Sequence, residues 1–88
     1  MSEQWLRCLI KKGMFTDEVA VVVSEKSGKS YSAFVPRDRV VGNLDQEGKL
    51  KVKVFHEGDA AWAVLPTEEQ TLLPVREEDL VPDQLLRV

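Results

Sequence analysis

The amino-acid sequence predicts a small, mostly β domain, built as an antiparallel barrel of five or six strands. Short apolar segments recur at intervals of about 8–15 residues, and polar turns separate them. Residues 50–54 alternate strictly between apolar and charged side chains, as expected of a strand with one buried face. Residues 19–23 include four valines, whose β-branched side chains favour a strand over a helix.

Length and composition predict a single domain over residues 1–88. Of the 88 residues, 43% are hydrophobic and 31% are charged, a balance typical of folded globular proteins. A core of this size yields only about 3–5 kcal/mol of net stability, so small chains often depend on an interface as well. The composition therefore favours a domain that associates with a partner or with itself.

The predicted strands lie, in chain order, at residues 5–10, 19–23, 31–35, 50–54, 60–65 and 71–75. The first alternates imperfectly, and in the polar loop after it Phe15 is expected to plug one end of the core. The second has apolar residues on both faces and is expected to be a central strand buried on both sides. It forms a hairpin with the third around Gly28. Because Pro36 cannot donate to a ladder, the third strand ends there or continues as an edge strand.

The fourth strand has the clearest pattern, with Leu50, Val52 and Val54 facing the core and lysines facing solvent. Gly58 lies in the turn that joins it to the fifth strand, which gives a second hairpin.

The C-terminal part of the sequence predicts little regular structure. Pro74 interrupts the sixth strand, residues 76–81 are too short for more than one 3₁₀ or α turn, and residues 82–88 are expected to fray. The sequence shows no internal repeat.

The order of two hairpins, a final short strand and a terminal turn near Glu77 and Leu80 resembles that of SH3-like barrels, including the Tudor and KOW types. The resemblance covers roughly residues 5–81 and implies an SH3-like barrel. It transfers no site residue, because the acidic and aromatic motif of SH3 domains is missing and Gly28 and Gly42 do not reproduce a KOW repeat.

Catalytic and metal sites lack the necessary residues. Cys8 and His56 are the only cysteine and histidine, so neither a disulfide nor a zinc site of the usual four ligands can form within the chain. A Cys8–His56 dyad would require their strands to be neighbours. The adjacent carboxylates lie in polar loops without apolar walls that would raise a pKa. We therefore expect a protein that is not an enzyme and binds no cofactor or metal.

The sequence also predicts a cytoplasmic protein. Glu3 and Arg7 interrupt the apolar run that a signal peptide would need, and no segment approaches the ~20 apolar residues of a membrane span. Cys8 is then expected to be a reduced thiol, and no membrane partner is expected.

A protein partner, or a second copy in a homodimer, is the predicted ligand. Phe55, Tyr31 and Trp62 are the candidate partner-binding residues, since the chain has more large apolar side chains than so small a core needs. Charge is also uneven, because residues 1–55 carry ten cationic and seven acidic side chains while residues 56–88 carry two and eight.

Single-stranded nucleic acid is the alternative ligand. Its candidate contacts are cationic residues that could form a strip beside Phe55, namely Lys49, Lys51, Lys53, Arg37 and Arg39. Lysines can bind phosphates while an aromatic ring stacks on a base. The formal net charge of −3 argues against this alternative.

Overall fold

Residues 2–82 are described by a computed structural model, and they form one antiparallel sheet with two isolated turns of 3₁₀-helix. The strands are β1 (Ser2–Lys12), β2 (Glu18–Ser24), β3 (Ser30–Pro36), β4 (Val40–Val41), β5 (Glu47–Glu57), β6 (Ala60–Val64), β7 (Leu72–Val75) and β8 (Leu80–Pro82). The basic turn (Arg37–Arg39) precedes β4, and the acidic turn (Glu77–Asp79) precedes β8. The mostly β prediction is confirmed, with eight strands instead of five or six.

The sheet runs in the order β3-β2-β1-β5-β6-β7 and curls into a half-barrel. β1 and β5 form its centre and pair from Ser2 opposite Val54 to Leu9 opposite Glu47. The short strands lie on their remaining edges, since β4 pairs with the first part of β5 and β8 with the first part of β1. Across residues 2–82, no helix is long and apolar enough to cross a membrane.

The order of elements repeats, although the sequence shows no repeat. Three strands, a 3₁₀ turn and a short strand occur as β1 to β4 and again as β5 to β8. Val40 of β4 lies opposite Leu50, Leu80 of β8 lies opposite Leu6, and Leu6 and Leu50 lie opposite each other. A pseudo-twofold axis through the Leu6–Leu50 pair therefore relates the two halves. The repeat is hidden in the sequence because core positions accept different apolar residues of suitable size.

The core lies on the inner, concave face of the curled sheet. Every strand of the sheet path contributes alternate side chains to it, and its largest fully buried members are Leu6, Ile10, Leu50, Leu65, Val19, Val21, Val35, Val54 and Val75. The inward orientation predicted for Leu50, Val52 and Val54 is confirmed, and both predicted hairpins form, with Gly28 and Gly58 at positive φ in their turns.

Three local predictions differ from the structure. Phe15 is 69% exposed and does not plug the core, because the loop after β1 holds it outside the sheet. β2 is fully buried on one face only, since Ala20 and Val22 lie half-buried on the outer face. Pro74 does not interrupt β7, because this strand lies at the end of the sheet path, where a missing N–H is tolerated. The frayed tail predicted for residues 82–88 lies outside the described residues except at Pro82, which ends β8.

Candidate functional site

A groove opens on the edge of β5, between the strands that pair with its two ends. The ladder with β4 ends at Leu50, and the ladder with β6 begins at Lys53, so residues 51–52 have no strand beside them on this edge. The groove encloses about 490 Å³. We call it the cationic groove; its lining residues are Glu3, Pro36, Arg39, Lys51, Val52, Lys53, Val64, Leu65, Pro66, Thr67 and Gln70.

The two halves of the fold explain why the groove is open. In the other half, Arg76 occupies the position that corresponds to Pro36, directly after the third strand of its repeat. The Arg76 Nε donates to the Lys26 carbonyl oxygen at 3.3 Å, and the Lys26 N–H donates to the Pro74 carbonyl oxygen at 2.9 Å. These bonds tie the β2–β3 turn to β7. Pro36 has no side-chain donor and cannot make the corresponding bond to the β6–β7 loop. The space between Pro36 and that loop is part of the cationic groove.

Three cations and one carboxylate give the groove its charge. Glu3 accepts contacts from Lys51 at 3.7 Å and from Arg39 at 3.8 Å. The Lys53 side chain faces solvent and forms no ion pair or hydrogen bond with any residue in the 2–82 range. Because one carboxylate cannot balance three cations, the groove can bind a further acidic group.

An aromatic row lies beside the groove on the outer face. It consists of the aromatic rings of Phe55 and Trp62 and the adjacent ring of Pro74, and these residues are direct cross-strand partners on β5, β6 and β7. Phe55 and Trp62 are both half-buried. Since Lys53 and Phe55 are two residues apart on one strand, they point to the same face, and the row continues the groove. Together they offer an apolar surface bordered by positive charge.

Comparison of the two halves shows that this combination occurs in only one of them. Where Phe55 lies opposite Trp62, the corresponding pair in the first half is Lys11 and Ala20. Where Lys53 lies opposite Val64, the corresponding pair is Leu9 and Val22. The fold requires neither the aromatic pair nor a lysine at the position of Lys53, since the other half forms the same strands without them.

The candidate partner-binding residues are split between the two faces. Phe55 and Trp62 lie together in the aromatic row. Tyr31 is instead on the inner face, where it packs against the core and its hydroxyl lies 3.5 Å from the Thr71 Oγ1. Tyr31 therefore does not share a surface with the other two residues.

The candidate nucleic-acid contacts are also divided. Lys51, Lys53 and Arg39 line the cationic groove. Lys49 lies on the same face one pair further along β5, opposite Arg7 of β1. Arg37 lines a different cavity of about 330 Å³ near the start of β4. The five cations therefore form a group of three in the groove, with Lys49 and Arg37 outside it.

Sequence reasoning missed the residues that complete the groove. Glu3 and Trp5 belong to β1, and the Lys51 Nζ lies 5.8 Å from the centre of the Trp5 ring. Pro66 and Gln70 come from the β6–β7 loop. The register of β1 on β5 brings Glu3 and Trp5 beside Lys53 and Lys51, and nothing local in the sequence specifies that register.

The one cysteine and the one histidine lie apart. Cys8 is opposite Gly48 near the start of β5, whereas His56 lies near the end of that strand. Burial raises the pKa of the Cys8 thiol to about 11, although the charge of Lys49 and a backbone hydrogen bond from Gly48 oppose the shift. His56 contacts Glu77 of the acidic turn through its Nε2. The structure therefore does not form the Cys8–His56 dyad, and residues 2–82 contain no group of three potential metal ligands.

Comparisons with known proteins do not identify a family. No protein-family model, curated protein sequence or solved structure matches the chain. The resemblance to SH3-like barrels stays a prediction. The function is inferred below from the geometry of the cationic groove and the aromatic row.

Proposed function

We propose that this protein is a non-enzymatic interaction module that binds an acidic segment of a protein partner. The segment would lie in the cationic groove and continue over the aromatic row. The observation that carries the proposal is the groove itself, where Arg39, Lys51 and Lys53 surround a single carboxylate in a chain whose net charge is negative.

The chemistry of the lining favours a peptide. Valine, leucine and proline side chains form the apolar part of the groove, and Thr67 and Gln70 add polar groups. Acidic side chains would pair with the cations, while apolar side chains of the same segment would pack on Phe55 and Trp62. Aromatic residues and arginine are the types that contribute most to protein interfaces.

Single-stranded nucleic acid is the second candidate, because the same three cations can bind phosphates. It is less well supported. The Lys51 Nζ lies 5.8 Å from the centre of the Trp5 ring, so a base that stacks on this face of the ring would have to displace Lys51.

The test measures the affinity of an acidic peptide of about ten residues, roughly 33 Å when extended, by fluorescence anisotropy of a dye attached to it. The same peptide with basic in place of acidic residues is the control ligand. We expect the acidic peptide to bind at least about tenfold more tightly at low salt. Affinity should fall as the Debye length shortens to about 8 Å at 0.15 M salt.

Paired variants locate the binding site. Lys51→Glu with Lys53→Glu should raise the Kd for the acidic peptide at least about tenfold, because both groove cations become anions. Lys26→Glu with Lys29→Glu makes the same charge change at the β2–β3 turn and should leave the Kd unchanged. Equal loss in both variants would contradict the proposal, and tighter binding of oligodeoxythymidine than of the acidic peptide would favour nucleic acid.

A further inference from the structure

The pseudo-twofold axis relates two turns of opposite charge. Arg39 ends the basic turn and precedes Val40, which lies opposite Leu50. Asp79 ends the acidic turn and precedes Leu80, which lies opposite Leu6. Arg39 and Asp79 therefore occupy corresponding positions on either side of the axis. The fold places a cation at one of them and a carboxylate at the other.

The charges around these two positions reinforce the contrast. Arg39 lies with Lys51 and Lys53 in the cationic groove. Asp79 follows Glu77 and Glu78, so the acidic turn consists of three carboxylates. Glu77 contacts His56, whereas the exposed Glu78 side chain forms no ion pair or hydrogen bond with the part of the chain that the structure describes.

Because of this symmetry, the cationic groove of one copy can face the acidic turn of a second copy. The axis passes through the Leu6–Leu50 pair of the two central strands, approximately perpendicular to the sheet, because those residues lie directly opposite in an antiparallel ladder. The groove and the acidic turn thus lie on opposite sides of this axis. If two copies meet outer face to outer face, a twofold axis perpendicular to the line joining these features sets each groove against the other copy's acidic turn. An isologous dimer requires a surface of this kind.

We propose that a second copy of this chain occupies the cationic groove, with the acidic turn of each copy against Arg39 and Lys53 of the other. This inference rests on the proposed function and names its partner. The outer face is convex, so the contact is concentrated on β1, β5 and the two turns. The modest stability expected of so small a core gives an additional reason for an interface.

A charge-swap experiment tests the proposal by sedimentation velocity, with protein concentrations from roughly 1 to 500 μM. The unmodified chain is expected to dimerise. The groove variant, Arg39→Glu with Lys53→Glu, and the turn variant, Glu78→Lys with Asp79→Lys, should each raise the dimer Kd at least about 30-fold. Each variant alone sets like charges against each other at both contacts.

Mixing the two variants gives the decisive measurement. In the mixed dimer, the negative groove meets a positive turn and the positive groove meets a negative turn, so both contacts are restored and affinity should return. This recovery also shows that both variants fold. Lys26→Glu with Lys29→Glu serves as the matched control and should dimerise like the unmodified chain.

Three results would overturn the inference: an unmodified chain that stays monomeric, variants that dimerise normally, or variants that do not recover when mixed. A monomeric chain whose affinity for the acidic peptide still depends on Lys51 and Lys53 would remove the homodimer and leave the proposed function intact. If the acidic peptide does not bind but the chain dimerises as described, the homodimer remains and the binding of an acidic segment from another protein is removed.

Discussion

At the scale of single residues, Cys8 shows how position determines chemistry. Its side chain is 3% exposed on the inner face of β1. Burial raises the thiol pKa from 9.0 to about 11 because the thiolate would lose its hydration, and the nearby charge of Lys49 offsets only part of that cost. The thiol is therefore protonated and shielded at neutral pH, which makes it a packing residue.

The raised pKa of Cys8 predicts a loss of stability in alkaline solution. Below pH 9 the thiol holds its proton in both the folded and unfolded states, whereas between pH 9 and 11 only the unfolded state releases it. The free energy of unfolding should fall by about 2–3 kcal/mol across this interval. Urea unfolding of the native chain and of Cys8→Ala measures the effect. Cys8→Ala should lack this fall. If stability depends on pH in the same way in the native chain and in the variant, the prediction is wrong.

Residue orientation was predictable where charge determined it. Lys49, Lys51 and Lys53 had to face solvent, and the structure places them on the outer face. Tyr31 was named as a candidate because the chain has more large apolar side chains than so small a core needs, but it shares a strand face with the buried Val35. Tyr31, Ala33 and Val35 alternate along β3, so the sequence contained a signal that Tyr31 faces the core, and this signal was not used.

At the scale of elements, Gly48 permits the junction of three strands. A Cβ at this position would lie 2.4 Å from the Ile10 Cδ1 and 2.5 Å from the Val41 carbonyl oxygen. β4 can therefore approach β5 closely only if this residue has no side chain. Gly58 differs, because its φ is +61° but a Cβ there would have no heavy atom within 4 Å.

Substitution by alanine is expected to lower the free energy of unfolding more at Gly48 than at Gly58. Gly48→Ala should destabilise the fold by about 3 kcal/mol or more, because the Val41 backbone or the Ile10 side chain must move in a packed core. Gly58→Ala should cost only about 1 kcal/mol, from the left-handed backbone conformation alone. Thermal and urea unfolding of both variants tests this order. A greater cost at Gly58 would contradict the packing argument.

The short strands show which elements a sequence cannot specify. Long strands such as β2 and β5 carry their own β-branched or alternating pattern, and both hairpins were predicted. β4 and β8 have two and three residues, and they are strands only because Leu50 and Leu6 lie beside them. Their pairing partners are 8 or 10 residues away in sequence for β4 and 74 to 78 residues away for β8, so local periodicity contains no sign of them.

At the scale of the whole molecule, each half of the fold completes the other. β4 belongs to the first half but pairs with β5, and β8 belongs to the second half but pairs with β1. β1 and β5 also pair with each other, so neither half retains its central contacts when alone.

This exchange predicts fragment complementation. Separate chains of residues 1–45 and 46–88 should each be largely unfolded, because strands at exposed edges and half a core offer little stability. Mixed in equal amounts, they should form one native-like complex with the circular dichroism spectrum of the intact chain. Size-exclusion chromatography checks its composition. A fragment that folds alone as a monomer would contradict the reciprocal exchange of strands.

The pairing of β8 with β1 also has a consequence for synthesis. β1 leaves the ribosome first and β8 is the last described strand to follow, yet they lie side by side at Leu6 and Leu80. Contacts between distant parts of a chain form late, and an unpaired strand edge can pair with other chains. The edge of β1 that pairs with β8 therefore stays without this partner strand until β8 has left the ribosome.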